Sequence, residues 1–255
     1  MAVETAKPSL SSPLELSFGG EFFAAKDKTF QETVVLVPFF GGRKHQLRRH
    51  CEMLSAMGFD NVVFDLKFDV DDKIFTAENK FGLKHIWADQ IEKILSEIPG
   101  QKILYAFSNP SASAIEATAR RGASDIAGLI CDSGPSGRLQ KSMMNYFRVE
   151  KPVRFLPLRF AASWISAFIW NPQFVAAVHK DLDQLPAGFE ILSIRGWKDP
   201  LIPVDQIDMI FEPHAHLHWS KLSLPKAGHL NGLKDFRDEY LPPVQRFLSK
   251  IATPL

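Results

Sequence analysis

Cysteine is almost missing from this chain: 255 residues contain two, Cys51 and Cys131. They are far apart, one in a helical pattern and one in a strand-like run, which excludes a disulfide framework or zinc cluster as the organising principle. Scarce, scattered thiols fit a reducing, cytoplasmic compartment. An excess of charge is missing too, since 30 Lys+Arg against 29 Asp+Glu leave a formal net charge of +1. No global field is available to hold a nucleic acid or an anionic membrane; nucleic acid is excluded as a partner, and any basic surface must be local. Long apolar runs are missing as well. The longest, Phe160 to Trp170, spans 11 residues and is interrupted by Ser163 and Ser166, against the roughly 20 needed to cross a bilayer. Met1 to Ser12 lacks the apolar core of a secretory signal, so nothing there directs export. No internal repeat or low-complexity tract is found.

What the chain does have is core material: 45% apolar residues, with 21 Phe. Val34 to Val37 is β-branched and aliphatic throughout and is stopped by Pro38 and the Gly41-Gly42 pair, which predicts a strand buried on both faces. Leu47, Cys51, Leu54 and Met57 then recur at helical steps until Gly58. The same reading predicts strands at Asn61 to Leu66, Lys102 to Ala106, Ile126 to Cys131, Phe189 to Ile194 and His214 to Leu222. Helices are predicted at Leu83 to Ile98, Ser111 to Arg121, Asp205 to Ile210 and Leu233 to Ile251, and a charged loop holds Asp69, Asp71 and Asp72. This alternation implies βαβ crossovers and an α/β fold, with a mostly parallel central sheet covered by helices on both faces. We expect a single domain over 14–255 after an N-terminal tail at 1–13. Residues 135–186, about fifty where a short crossover suffices, are expected to form a helical cap or lid over the strand ends.

The third of these strands runs directly into Ala106-Phe-Ser-Asn-Pro110 and a helix of small residues. A serine at so sharp a strand-to-helix turn presents its hydroxyl clear of the backbone, beside a helix N-terminus, as a nucleophile elbow does. Ser108 is therefore the candidate nucleophile, although serine is also a common helix cap. Downstream, Asp199 follows the strand ending at Ile194, and His229 in Ala227-Gly-His-Leu230 follows the final strand. A serine hydroxyl attacks an acyl carbon at neutral pH only if a base takes its proton, and an imidazole serves best when a carboxylate orients it. Asp199 and His229 supply those groups in the order serine, acid, histidine, each at a strand end. The bland alternative makes Asp199 a turn former and His229 a loop residue. Asp132, at another strand end, is the competing acid, whereas Ser111 and Ser113 fall inside the helix pattern and are discounted. For the oxyanion, Asn109 offers the backbone N–H after the nucleophile, and Pro38-Phe-Phe-Gly-Gly42 resembles the His-Gly-x-Gly-Gly loop of many hydrolases, a likeness that implies Phe40 as the second donor.

Three segments carry a family resemblance: Leu36-Val-Pro-Phe-Phe-Gly-Gly-Arg-Lys-His-Gln-Leu-Arg-Arg-His50, Ala106-Phe-Ser-Asn-Pro-Ser111 and Ile130-Cys-Asp-Ser-Gly-Pro-Ser-Gly137. The chain resembles the α/β-hydrolase superfamily from Val34 to Leu248, and within it the transmembrane-protein-53-like branch, through the Phe-Ser-Asn elbow and Asp-Ser-Gly-Pro strand end. The resemblance implies the α/β-hydrolase fold and a Ser-His-Asp scaffold that needs no cofactor. It departs from the usual G-x-S-x-G at Ala106 and Pro110, and from the usual His-Gly at Pro38 and Phe39. Those departures keep open a non-catalytic binding or scaffold protein with a drifted elbow.

His214, His216 and His218 alternate, but because Ala215, Leu217 and Trp219 form the apolar set, the histidines are expected to face solvent without a metal. The segment Ser136 to Trp170 carries six basic residues against Glu150, interleaved with Met143, Phe147, Trp164 and other large apolar groups. Three readings fit this composition: a solvated cap simply packed on the core, a greasy acyl pocket with a basic entry, or a patch that touches anionic lipid. With Phe39 and Leu201, the residues Met143, Phe147 and Trp164 are the expected substrate-binding set. The expected substrate is a small-molecule ester or thioester with a hydrophobic acyl group. The sequence gives no oligomeric state.

Overall fold

The computed structural model describes residues 15–68 and 80–255. The tail at 1–13 and the loop residues Asp69, Asp71 and Asp72 lie outside the described residues. Seven strands form one sheet: β1 (Glu21–Phe23), β2 (Thr33–Val37), β3 (Asp60–Val63), β4 (Lys102–Phe107), β5 (Ile126–Asp132), β6 (Glu190–Gly196) and β7 (His218–Leu224). Their order is β1-β3-β2-β4-β5-β6-β7, and every pairing is parallel except β1 with β3. The helices are α1 (Arg48–Ala56), α2 (Leu83–Glu97), α3 (Ser111–Arg120), α4 (Leu139–Val149), α5 (Leu156–Trp170), α6 (Phe174–Asp183), α7 (Val204–Phe211), α8 (Gly232–Asp235) and α9 (Arg237–Ile251). None is long and apolar enough to cross a membrane among the described residues.

The sheet separates two cores because side chains alternate along each strand. Leu104 and Ala106 of β4 face a core shared with α2, α3, α6 and α7. Ile103, Tyr105 and Phe107 face a second core closed by α1 and α9. All six β4 residues are buried, as expected for a central parallel strand covered on both faces. Both cysteines are free and buried in these cores.

Three differences from the sequence expectation have local causes. β1 was not anticipated, because three mostly exposed residues at a sheet edge carry no usable alternation. The last strand starts at His218 instead of His214, since a turn closed by the Leu217 N–H on the His214 carbonyl (3.1 Å) occupies 214–217. Alternation therefore fails there: His214 is buried, stacks on His179 at 5.1 Å and hydrogen-bonds Asp183 at 3.0 Å, while Ala215 is exposed. The closing helix is broken at Phe236, whose φ of −133° and ψ of 42° are not helical.

The segment 135–186 divides in two. α6 packs on α3 and buries Val178 and Leu182 in the sheet-face core, serving as the crossover that parallel neighbours β5 and β6 require. α4 and α5 pair with each other at the carboxyl ends of the strands, where a parallel α/β sheet presents its crevice: α4 lines the hollow at Ser108, and Ser166, Ile169 and Trp170 of α5 line a neighbouring one with Phe40 and Gly41.

Candidate active site

Three loops at the carboxyl ends of β4, β6 and β7 bring Ser108, Asp199 and His229 together. His229 Nε2 lies 3.1 Å from Ser108 Oγ, and His229 Nδ1 lies 2.7 Å from Asp199 Oδ2. The other Asp199 oxygen accepts the Leu201 and Ile202 N–H groups at 2.7 and 2.9 Å, so the carboxylate is fixed by its own turn. Ser108 has φ +58°, a left-handed value for a non-glycine residue. Its N–H donates to the Asp132 carbonyl (2.8 Å), which continues the β4–β5 ladder to the point where the chain turns.

The elbow is tight without glycine at its own flanks. Ala106 is fully buried within β4, and Pro110 has φ −57° and ψ −16°, so proline's fixed φ suits the start of α3. The glycine that makes room comes from the neighbouring strand end. A Cβ on Gly134 would lie 2.3 Å from the Ser108 carbonyl oxygen. Gly196 does the same between the other two loops, where a Cβ would lie 2.5 Å from the Ala227 and Gly228 carbonyl oxygens.

Ser108, Asn109, His229, Phe39 and Phe40 line one pocket of about 460 Å³, together with Met143, Tyr146 and Leu201. Phe40 sits in a turn closed by the Gly42 N–H on the Phe39 carbonyl (2.8 Å), with Gly41 at φ +71°. Among the described residues, neither the Phe40 nor the Asn109 backbone N–H donates to a protein acceptor. The Asn109 side chain is committed, its oxygen accepting the Ser136 N–H at 3.1 Å and its amide donating to Ser142 at 3.2 Å.

Phe147 and Trp164 are not brought to this pocket. On α4 the inward residues are Ser142, Met143, Tyr146 and Glu150, at helical spacing, and Phe147 lies one step round from Tyr146. Trp164 is 55% exposed on the outer side of α5. Tyr146 escaped the sequence reading, although its spacing from Ser142 and Met143 was a usable signal. It packs edge-on against Phe40 at 5.4 Å. Beyond Phe40 lies a second hollow of about 620 Å³, lined by Leu66, Trp87, Ile169 and Trp170.

Asp132 does not touch His229. It is buried, accepts from Tyr240 Oη at 2.7 Å and from Ser133 Oγ at 2.9 Å, and Tyr240 is in turn bonded to Tyr105. Burial pushes its carboxyl up to about 6, with the Tyr240 and Ser133 hydrogen bonds opposing the rise. Ser133 Oγ also accepts the Leu230 N–H at 3.3 Å, next to His229. Among the described residues no group of three or more His, Cys, Asp or Glu side chains is placed to hold a metal ion.

No family model and no curated protein matches the sequence. Solved structures do match. An esterase of Pyrococcus furiosus superposes with a TM-score of 0.67 at 16% identity, over 99% of this chain and 97% of that one. A monoacylglycerol lipase of Paleococcus ferrophilus gives 0.61 at 17% identity, over 91% and 98% of the two chains. Mouse alpha/beta hydrolase domain-containing protein 10 gives 0.60 at 13% identity, over 91% and 93%. At such identities the likeness is one of architecture, and the chain has the α/β-hydrolase fold.

Proposed function

We propose that the protein is a serine hydrolase that cleaves a carboxylic ester or thioester bearing a hydrophobic acyl group. The observation that carries this reading is the continuous Ser108–His229–Asp199 hydrogen-bond chain, 3.1 and 2.7 Å long in its two links, opening on a pocket. In this mechanism His229 Nε2 takes the Ser108 proton as Oγ attacks the acyl carbon. The Asn109 and Phe40 N–H groups, free of protein acceptors, receive the developing oxyanion. His229 then protonates the leaving alcohol or thiol, the acyl group remains on Ser108 Oγ, and a water activated by His229 releases it as the acid. Asp199 fixes the imidazole and stabilises its protonated form. These steps need no cofactor.

Phe39, Phe40, Met143, Tyr146 and Leu201 would hold the acyl chain, with α4 and α5 as the cap above it. The esterase and monoacylglycerol lipase of the same architecture favour an ester substrate. The short Phe-Ser-Asn and Asp-Ser-Gly-Pro motifs support, on this reading, a relationship to the transmembrane-protein-53-like branch. The alternative of a decayed, non-catalytic elbow loses its main argument, since Ala106 and Pro110 are compatible with the turn and Gly134 supplies the space.

The test is hydrolysis of a p-nitrophenyl ester series. kcat/KM should rise with chain length by roughly fourfold per buried methylene, about 0.8 kcal/mol each, until the pocket is full. A flat profile would reject the hydrophobic acyl group, and no turnover of any member would favour the non-catalytic alternative.

A further inference from the structure

α5 is an amphipathic helix turned inside out. At 100° per residue, Leu156, Phe160, Trp164 and Phe168 form one stripe along the helix, and Leu158 and Ile165 widen it. All six are between 53% and 61% exposed. Pro157 and Ala161, also exposed, fill the gaps, so this outward arc contains no polar side chain. The polar residues of α5 lie on the other side. Ser163 is fully buried, and Arg159 Nε donates inward to the Val153 carbonyl at 2.8 Å. Phe155, 67% exposed, extends the apolar face by one residue at its amino end. Solvent-facing helices normally carry charge on this side, and a contiguous apolar patch of this kind marks an interaction surface.

The charge beside the patch identifies the partner. Arg148, Lys151 and Arg154, on the end of α4 and the connection to α5, are exposed and in no ion pair among the described residues. Glu150 is the single acid between Ser136 and Trp170, against six basic residues. Bulky aromatic and aliphatic groups bordered by unpaired cations match a layer whose interior is apolar and whose surface is anionic. We propose that the outward face of α5, with Arg148 and Arg154 beside it, docks on the surface of an anionic phospholipid bilayer. Lys151 also lines the Ser108 pocket, four residues before Phe155, so the docking face and the pocket meet at the connection between α4 and α5. The docking goes beyond the proposed hydrolase reading and does not depend on it.

The experiment is co-sedimentation of the full chain with vesicles of phosphatidylcholine alone, and of phosphatidylcholine with phosphatidylserine at roughly seven to three. Carrying it out on Ser108→Ala as well separates binding from turnover. Binding to the anionic vesicles should exceed binding to neutral ones by at least about tenfold, as expected for two or three cations at the surface. Phe160→Glu/Ile165→Glu should remove binding by about a hundredfold or more, and Arg148→Glu/Arg154→Glu should reduce it to the neutral-vesicle level. These residues are exposed, so both variants should keep the wild-type circular dichroism and melting temperature. Equal binding to both vesicles, binding that survives both variants, or no binding to either overturns the proposal. So does a concentration-dependent dimer that Phe160→Glu/Ile165→Glu disperses, which would assign the face to a second copy of this chain.

Discussion

Two buried polar clusters in this molecule are built on opposite plans. One joins helices: Lys84 of α2 lies 2.5 Å from both Glu116 of α3 and Asp181 of α6, and Glu116 also binds His85 and Arg120. Burial alone would push the Glu116 carboxyl up, but the hydrogen bonds and charges of His85, Lys84 and Arg120 outweigh it and hold the group down at about 2. Every charge there is neutralised on the spot, on regular backbone. The other cluster joins loops, at Ser108, Asp199 and His229, with left-handed backbone at Ser108 and Leu230 and with backbone donors at Phe40 and Asn109 left for something else. The helix cluster pairs its charges with one another, so removing one partner would strand the others, while the loop cluster, on left-handed backbone at a pocket, leaves donors facing the pocket and is suited to chemistry.

That contrast can be broken by substitution. The largest effect is expected for Ser108→Ala, which should lower turnover by roughly 10⁴-fold or more while leaving urea unfolding almost unchanged. Lys84→Met should do the reverse. It leaves Glu116 and Asp181 without their buried partner, so about 3–5 kcal/mol of stability should be lost in urea titrations, with kcat kept in the folded fraction. If Lys84→Met instead silences a stable protein, the helix cluster is not merely structural.

Asp132 tests which plan its own network follows. Burial pushes its carboxyl up to about 6, from the ordinary aspartate value of about 3.9. The native state therefore binds the proton more tightly, and this group withdraws stability as pH rises from about 4 through about 6, by up to about 3 kcal/mol. Asp132→Asn does not titrate and can keep the bond from Tyr240. Relative to wild type, it should gain stability by about that amount between pH 4 and pH 7. A pH-independent difference would show that Asp132 is not held protonated. The smallest expected effect belongs to Gly134→Ala, where a Cβ at 2.3 Å from the Ser108 carbonyl oxygen forces the elbow to shift. An ångström-scale misplacement should lower kcat about a hundredfold with KM little altered, and an unchanged kcat would show that the elbow tolerates the movement.

The central strands and the order of the three site residues were legible because local pattern and global position agree there. Val34 to Val37 cannot be anything but a covered strand, and Ser108, Asp199 and His229 each follow an apolar run at a turn. Direction was not legible. The apolar content of 136–170 is visible in composition, but whether Trp164 faces a pocket or solvent depends on one rotation step from the buried Ser163. Contacts remote in sequence were also hidden: Asp132 meets Tyr240 across 108 positions, and Gly134 opens space for a serine on another strand. The usual motif puts glycine in the nucleophile's own loop, whereas sterics require only that some neighbouring backbone lack a side chain there, as Gly134 does.

The central claim is that His229 and Asp199 make Ser108 a nucleophile, and reaction with a fluorophosphonate probe followed by intact-mass analysis tests it most directly. Wild type should gain one phosphonyl adduct, mapped by peptide digestion to Ser108, and Ser108→Ala and His229→Ala should gain none. An unlabelled wild type, or equal labelling of the Ser108→Ala protein, would contradict the assignment.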